Sequence, residues 1–160
     1  MNRNAAITGD QLSNTLHILG VNFLLGGQNE DAPLHKQPAQ LLAALAESDE
    51  ARLRLSLIPL FLEHPEFAVH VRTVAAGVAP TARLTFQCYY SAALWIAQKY
   101  KRVHPLPDYF SADLGFRPTE NPDENLRLLA QRHAELSGES VNWLGTYLHA
   151  EQVWQKGIAG

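Results

Sequence analysis

The sequence predicts an all-α protein, a single irregular bundle of about six to seven helices that cross at large angles. Apolar residues recur at helical spacing along most of the chain, and proline or glycine stands where that spacing breaks. The run from Leu84 to Arg102, LTFQCYYSAALWIAQKYKR, is apolar on nearly every side. A helix of this kind is normally buried on every side. We therefore expect this run to be the central helix.

Composition and length are those of a globular protein with one domain over residues 1–160, in which residues 1–8 are a candidate flexible end. The chain is 46% hydrophobic and 18% charged, which argues against disorder. Its net charge of −3 argues against nucleic-acid binding driven by a basic surface. One cysteine, Cys88, allows no internal disulfide, and the N-terminus lacks a signal-peptide pattern. No apolar run is long enough to span a membrane, so we expect a cytoplasmic protein.

The first helix is predicted from its cap. Thr8 and Gln11 have the spacing of a capping box, in which each side chain bonds the other residue's backbone N–H. Its apolar positions are Leu12, Leu16 and Leu19. We expect it to stop at Gly20, before the short apolar run Val21–Leu25, a candidate extended segment. A polar loop with Pro33 follows.

Three further helices are predicted before the central one. The second begins at Pro38, since proline suits the first helical turn, and ends near Ser48. The third runs through Leu53 and Phe61 and is predicted to kink at the proline between them, Pro59. The fourth covers residues 66–76, before Gly77, and the central helix then starts at Pro80.

Two more helices are predicted after the central one. Residues 104–107 interrupt the helical pattern with two prolines, and residues 108–114 are expected to form one short turn before Gly115. Asn121 followed by Pro122 and two acids is typical of a helix start, and this helix is expected to end near Gly138. The last helix is predicted from about Ser140 to Lys156.

Aromatic residues in the C-terminal third predict an interaction surface. On the last helix they lie beside an apolar stripe, and together they cover more of the helix than one buried face requires. Others lie in a proline-rich connection. Tyrosine and tryptophan are enriched at protein interfaces. The predicted surface consists of Tyr109, Phe110, Phe116, Trp143, Tyr147 and Trp154. The alternative is that most of these rings fill the core.

Four segments carry a resemblance that supports an interaction role. They are residues 51–66, the helix with Tyr89 and Tyr90, Leu106–Phe110 and Val141–Tyr147. Their arrangement resembles small helical bacterial proteins encoded beside minimal nucleotidyltransferases, in pairs like toxin–antitoxin modules. The resemblance implies a helical partner protein that works through a binding surface. Together with the aromatic residues, it favours a non-enzymatic protein that binds another protein or itself. This is the leading hypothesis.

A second hypothesis is enzymatic. The spacing of Arg127 and His133 loosely matches that of the HEPN family of helical ribonucleases. In that family the arginine holds a phosphate and the histidine acts in acid–base catalysis. Residues six apart on one helix do not share a face, so the pair would need a helix break or a second chain, as in a dimer. The alternative is that Arg127 and Arg132 lie on an exposed face and His133 ends an apolar stripe.

A third hypothesis is a small-ligand pocket between helices, lined by Tyr89, Trp95 and Trp143. No cofactor is expected. The seven histidines are scattered, without the i, i+4 spacing that places two metal ligands on one helical face, so no metal site is expected either. Cys88 lies within an apolar run and is predicted to be a small buried hydrophobe rather than a nucleophile.

Overall fold

The computed structural model describes residues 7–20, 36–100 and 105–159, with side chains as far as Lys156. Within these ranges the chain forms helices and no strand, which confirms the all-α prediction. The predicted extended segment Val21–Leu25 lies outside the described residues, as do residues 1–6. In chain order the helices are α1 (Gly9–Ile18), α2 (Pro38–Glu47), α3 (Ala51–Leu55), α4 (Leu57–Glu63), a 3-10 helix (Pro65–His70), α5 (Val71–Gly77), α6 (Pro80–Lys99), α7 (Ser111–Leu114), α8 (Pro122–Ser137) and α9 (Trp143–Ala159).

Helix α6 lies at the centre, as predicted. Every residue from Cys88 to Ala97 is buried, and α6 packs most extensively against α8 and α4. Cys88 itself is fully buried, which confirms its predicted role as a core residue. The helix ends at Lys99, whereas the sequence predicts its end near Arg102, which lies outside the described residues. No helix in the described ranges is both long and apolar enough to cross a lipid bilayer.

Two predicted helix caps are confirmed at atomic level. The backbone N–H of Gln11 donates to Thr8 Oγ1 over 3.1 Å, and that of Thr8 donates to Gln11 Oε1 over 2.8 Å, which completes the capping box. At the start of α8 the N–H of Glu124 donates to Asn121 Oδ1 over 3.1 Å. Gly138 ends α8 with a φ of 71°, a left-handed conformation that glycine adopts without strain.

The prediction of one kinked helix around Pro59 is wrong. The chain forms two helices, α3 and α4, which are separated at Ser56. Pro59 is the third residue of α4, where a missing backbone donor breaks no helical bond. In a continuous helix, however, its ring would clash with the carbonyl of Leu55, four residues earlier, so the preceding helix ends at this point. The buried Ser56 hydroxyl donates to the carbonyl of Leu53 over 2.5 Å, which satisfies it at the break.

Two other helix boundaries differ from the sequence prediction. In place of the predicted fourth helix, the chain forms a more tightly wound 3-10 helix at residues 65–70 and then α5. The last helix begins at Trp143 rather than near Ser140. Asn142 sets this start, because its Oδ1 accepts from the N–H of Gly145 over 2.9 Å in the manner of an N-cap.

Candidate binding groove

Three of the six rings predicted to form an interaction surface are buried, so that prediction is wrong for Phe110, Tyr147 and Trp154. Their exposed fractions are 3%, 0% and 4%. Tyr109, Phe116 and Trp143 are half-buried. The rings therefore mostly belong to the core, as the alternative interpretation has it.

Each buried ring has a specific place in the packing. Phe110 packs edge-on against Tyr90 at 5.7 Å between ring centroids. Trp154 Nε1 donates to Glu63 Oε2 over 2.6 Å, which joins α9 to α4. Tyr109 stacks on Tyr90 at 6.0 Å, so the proline-rich connection folds onto α6 rather than away from it.

A half-open groove of about 960 Å³ lies between α6, α9 and the α2–α3 corner. Helix α6 lines it with Ala82, Thr85 and Tyr89, which are three and seven residues apart and so share one helical face. The matching face of α9 carries Trp143, Thr146, His149 and Val153. The opposite wall includes Ala46, Ala51, Arg54 and Leu55. Because Ala82 and Thr85 have small side chains, this face of α6 does not fill the space between the helices.

The groove contains part of the pocket predicted from the sequence. Tyr89 and Trp143 both line it. Trp95 does not, because it lies 3% exposed in the core and packs edge-on against Phe116 at 6.5 Å. The prediction is therefore wrong for Trp95. Sequence reasoning also missed Arg54 and the α2–α3 wall. The small residues Thr81, Ala82 and Thr85 at the start of an otherwise bulky helix were the available signal.

Beneath the groove lies a layer of stacked rings. The imidazole of His133 lies against the Trp143 ring at 3.6 Å, nearly parallel to it. A hydrogen bond of 2.7 Å joins His133 Nδ1 to the Tyr147 hydroxyl. Burial lowers the pKa of His133 to about 4, because the charged imidazolium loses its hydration there. At neutral pH this layer is uncharged and supports the groove floor.

The structure does not bring Arg127 and His133 together in one site. Arg127 is exposed and ion-paired with Glu124 on the surface of α8, while His133 is 1% exposed. One side chain therefore faces solvent and the other faces the core. This agrees with the alternative interpretation for Arg127. Arg132 is half-buried instead, and its Nε donates to the carbonyl of Leu114 over 2.7 Å.

Two hydrogen-bonding groups at the groove lack partners among the described residues. Tyr89 is 5% exposed and lines the floor, and its hydroxyl makes no hydrogen bond there. Burial raises the pKa of Tyr89 to about 12, although the nearby positive charge of Arg54 acts in the opposite direction. Trp143 Nε1 is buried and likewise has no acceptor. The Tyr89 hydroxyl is thus a donor that a bound molecule could satisfy, whereas Trp143 Nε1 is closed off from the groove.

The groups best suited to catalysis are enclosed. Cys88 and His133 lie in the core under the groove, with exposed fractions of 0% and 1%. Burial also raises the pKa of the Cys88 thiol to about 12, so it stays protonated at neutral pH. The surface that remains available is lined mainly by alanine, valine, leucine and hydroxyl side chains, an arrangement suited to binding.

No protein-family model, curated protein or solved structure matches this chain.

Proposed function

We propose that this protein is a non-enzymatic binding module whose groove between α6, α9 and the α2–α3 corner holds a small molecule with an apolar body. The observation that carries the proposal is the groove itself. Its volume of about 960 Å³ lies within the range of small-molecule sites. Its walls are mostly apolar, with a few polar groups that could orient a ligand.

The chemistry of the floor supports binding rather than turnover. The Tyr89 hydroxyl makes no hydrogen bond to the described residues, and the Cys88 thiol and His133 imidazole are enclosed and uncharged at neutral pH. A ligand that accepts a hydrogen bond from the Tyr89 hydroxyl would give this donor a partner away from bulk water. The ribonuclease hypothesis lacks support from this geometry, since His133 lies in the core and Arg127 on the surface.

The experiment blocks the groove with one substitution. Purified protein is titrated with N-phenyl-1-naphthylamine, an uncharged fluorophore that brightens in apolar sites. Ala82→Phe places a ring in the groove, while Gln98→Phe adds the same ring to an exposed position on the same helix. We expect wild type and Gln98→Phe to bind the fluorophore and Ala82→Phe to lose about tenfold in affinity. Equal binding by the two variants would refute the assignment of the groove.

A second candidate is a protein partner in the same groove, which preserves the interaction role that the sequence resemblance implies. Val141 favours it, because this residue lines the groove and is 41% exposed beside Trp143. The faces of α6 and α9 could receive an apolar helix of a partner. A nucleotidyltransferase as that partner, and a toxin–antitoxin role, stay predictions from the resemblance.

A further inference from the structure

Arg54 stands out among the residues that line the groove. Its guanidinium is half-buried, and its Nη1 donates to the carbonyl of Ser48 over 2.8 Å. No described carboxylate lies within ion-pair distance of it. Arg52 also lines the groove, but it is highly exposed and pairs with Glu50 over 3.2 Å. A partly desolvated cation without an anion is costly, and a bound anion would remove that cost.

Tyr89 adds a donor to the same groove, because both residues line it and α3 packs against α6. The positive charge of Arg54 acts to lower the pKa of the Tyr89 hydroxyl, in line with this placement. With a pKa of about 12 the hydroxyl keeps its proton at neutral pH and can donate it to an acceptor. A cationic guanidinium and a neutral hydroxyl together form a site for charge-assisted hydrogen bonds to an oxyanion.

The acidic groups of the groove do not occupy this site. Glu47, Asp49 and Glu139 line the groove, but all three side chains are exposed, where water and salt screen their charges. His149 also lines the groove, on the α9 side. The half-buried positive charge therefore lies toward the floor and the negative charges lie at the rim.

We propose that the ligand of this groove is an organic anion, whose carboxylate or similar group binds Arg54 and the Tyr89 hydroxyl while its apolar body lies against Leu55 and Trp143. The inference rests on the proposed function and specifies the chemical class of the ligand.

Two fluorophores that share one ring system test this. N-phenyl-1-naphthylamine is uncharged, and 8-anilino-1-naphthalenesulfonate carries the same rings with an added sulfonate. The sulfonate lowers affinity for a purely apolar site, so a preference for the charged fluorophore reports recognition of the anion. We expect wild type to bind the sulfonate about tenfold more tightly than the neutral fluorophore, the size of one charge-assisted hydrogen bond.

Three variants locate the recognition. Arg54→Gln can keep the contact with the Ser48 carbonyl but lacks the charge, and Tyr89→Phe removes only the hydroxyl. We expect each to lose the preference for the sulfonate and to keep its affinity for the neutral fluorophore. Arg127→Gln is the control, which removes an exposed, ion-paired charge outside the groove and should change neither affinity. Unfolding midpoints of all variants check that the fold is retained.

The outcomes separate the two proposals. If both fluorophores bind equally and Ala82→Phe weakens both, the groove is a ligand site but the anion inference is wrong. If Arg127→Gln and Arg54→Gln weaken binding of the sulfonate equally, the effect is one of general charge and the inference is also wrong. If neither fluorophore binds, the proposed function and the inference both fail.

Discussion

His133 is a buried histidine whose stacking partner forms part of the groove floor. Its ring contacts Trp143 on one side and bonds the Tyr147 hydroxyl through Nδ1. Burial lowers its pKa to about 4, whereas an unfolded chain has a histidine pKa of about 6.5. The folded protein therefore holds this imidazole neutral over a range of pH in which the unfolded chain binds a proton.

That difference predicts a loss of stability in mild acid. Since the unfolded state binds more protons between pH 6.5 and 4, stability falls as the pH falls through this window. We expect the His133 contribution to reduce the free energy of unfolding by about 2 kcal/mol between pH 7 and pH 5. Urea unfolding at both pH values measures it. In His133→Phe, which keeps a stacked ring, the decrease should be smaller by that amount, and an identical decrease in both proteins would contradict the prediction.

At the scale of the element, α3 and α4 show how one proline divides a helical run. The apolar spacing continues across Pro59, but the backbone breaks three residues earlier, at Ser56. The break turns the chain, so that α4 packs on α6 while α3 contributes Arg54 and Leu55 to the groove wall.

We expect Pro59→Ala to change stability modestly and to leave ligand binding intact. Proline restricts the unfolded chain, and its buried ring packs in the core, so the loss should be about 1 kcal/mol in the free energy of unfolding. Pro80→Ala, at the exposed start of α6, is the control for the effect of proline on the unfolded chain alone. Denaturant unfolding and fluorophore titration measure both properties. Loss of binding in a folded Pro59→Ala protein would show that the break at Ser56 shapes the groove.

At the scale of the whole molecule, Lys99 at the end of α6 joins three helices through two carboxylates. Glu151 of α9 accepts from Lys99 Nζ over 2.8 Å and from the Tyr100 hydroxyl over 2.5 Å. Lys99, in the last turn of α6, also pairs with Asp123 of α8 over 3.0 Å. The carboxylate of Glu151 is nearly enclosed, while that of Asp123 is mostly exposed.

The two carboxylates therefore contribute unequally. Glu151→Gln leaves Lys99 without its enclosed counterion, and we expect it to lower the free energy of unfolding by about 2 kcal/mol. Asp123→Asn removes an exposed ion pair with the same lysine and should cost less than about 1 kcal/mol. Thermal and urea unfolding of both variants provide the comparison. Equal costs would indicate that burial of Glu151 does not strengthen the interaction.

The sequence by itself determined where α1, α2, α6 and α8 begin and where α8 ends, because caps and prolines act over only a few residues. Thr8 with Gln11, Asn121 and Pro80 all act through neighbouring backbone groups, and their predicted effects are present. The central position of α6 could also be predicted locally, since a helix that is apolar on every side is buried whichever helices surround it.

Only the tertiary structure decided which rings are buried and which helical faces stay uncovered. Tyr147 and Trp143 lie four residues apart on α9, yet one is enclosed and the other lines a groove. The difference depends on where α4, α6 and α8 lie around α9, and α4 and α6 are distant from it in the chain. Arg54 likewise joins Tyr89 only because α3 packs beside α6. Burial and charge at such positions arise from contacts between remote segments, to which local sequence patterns are insensitive.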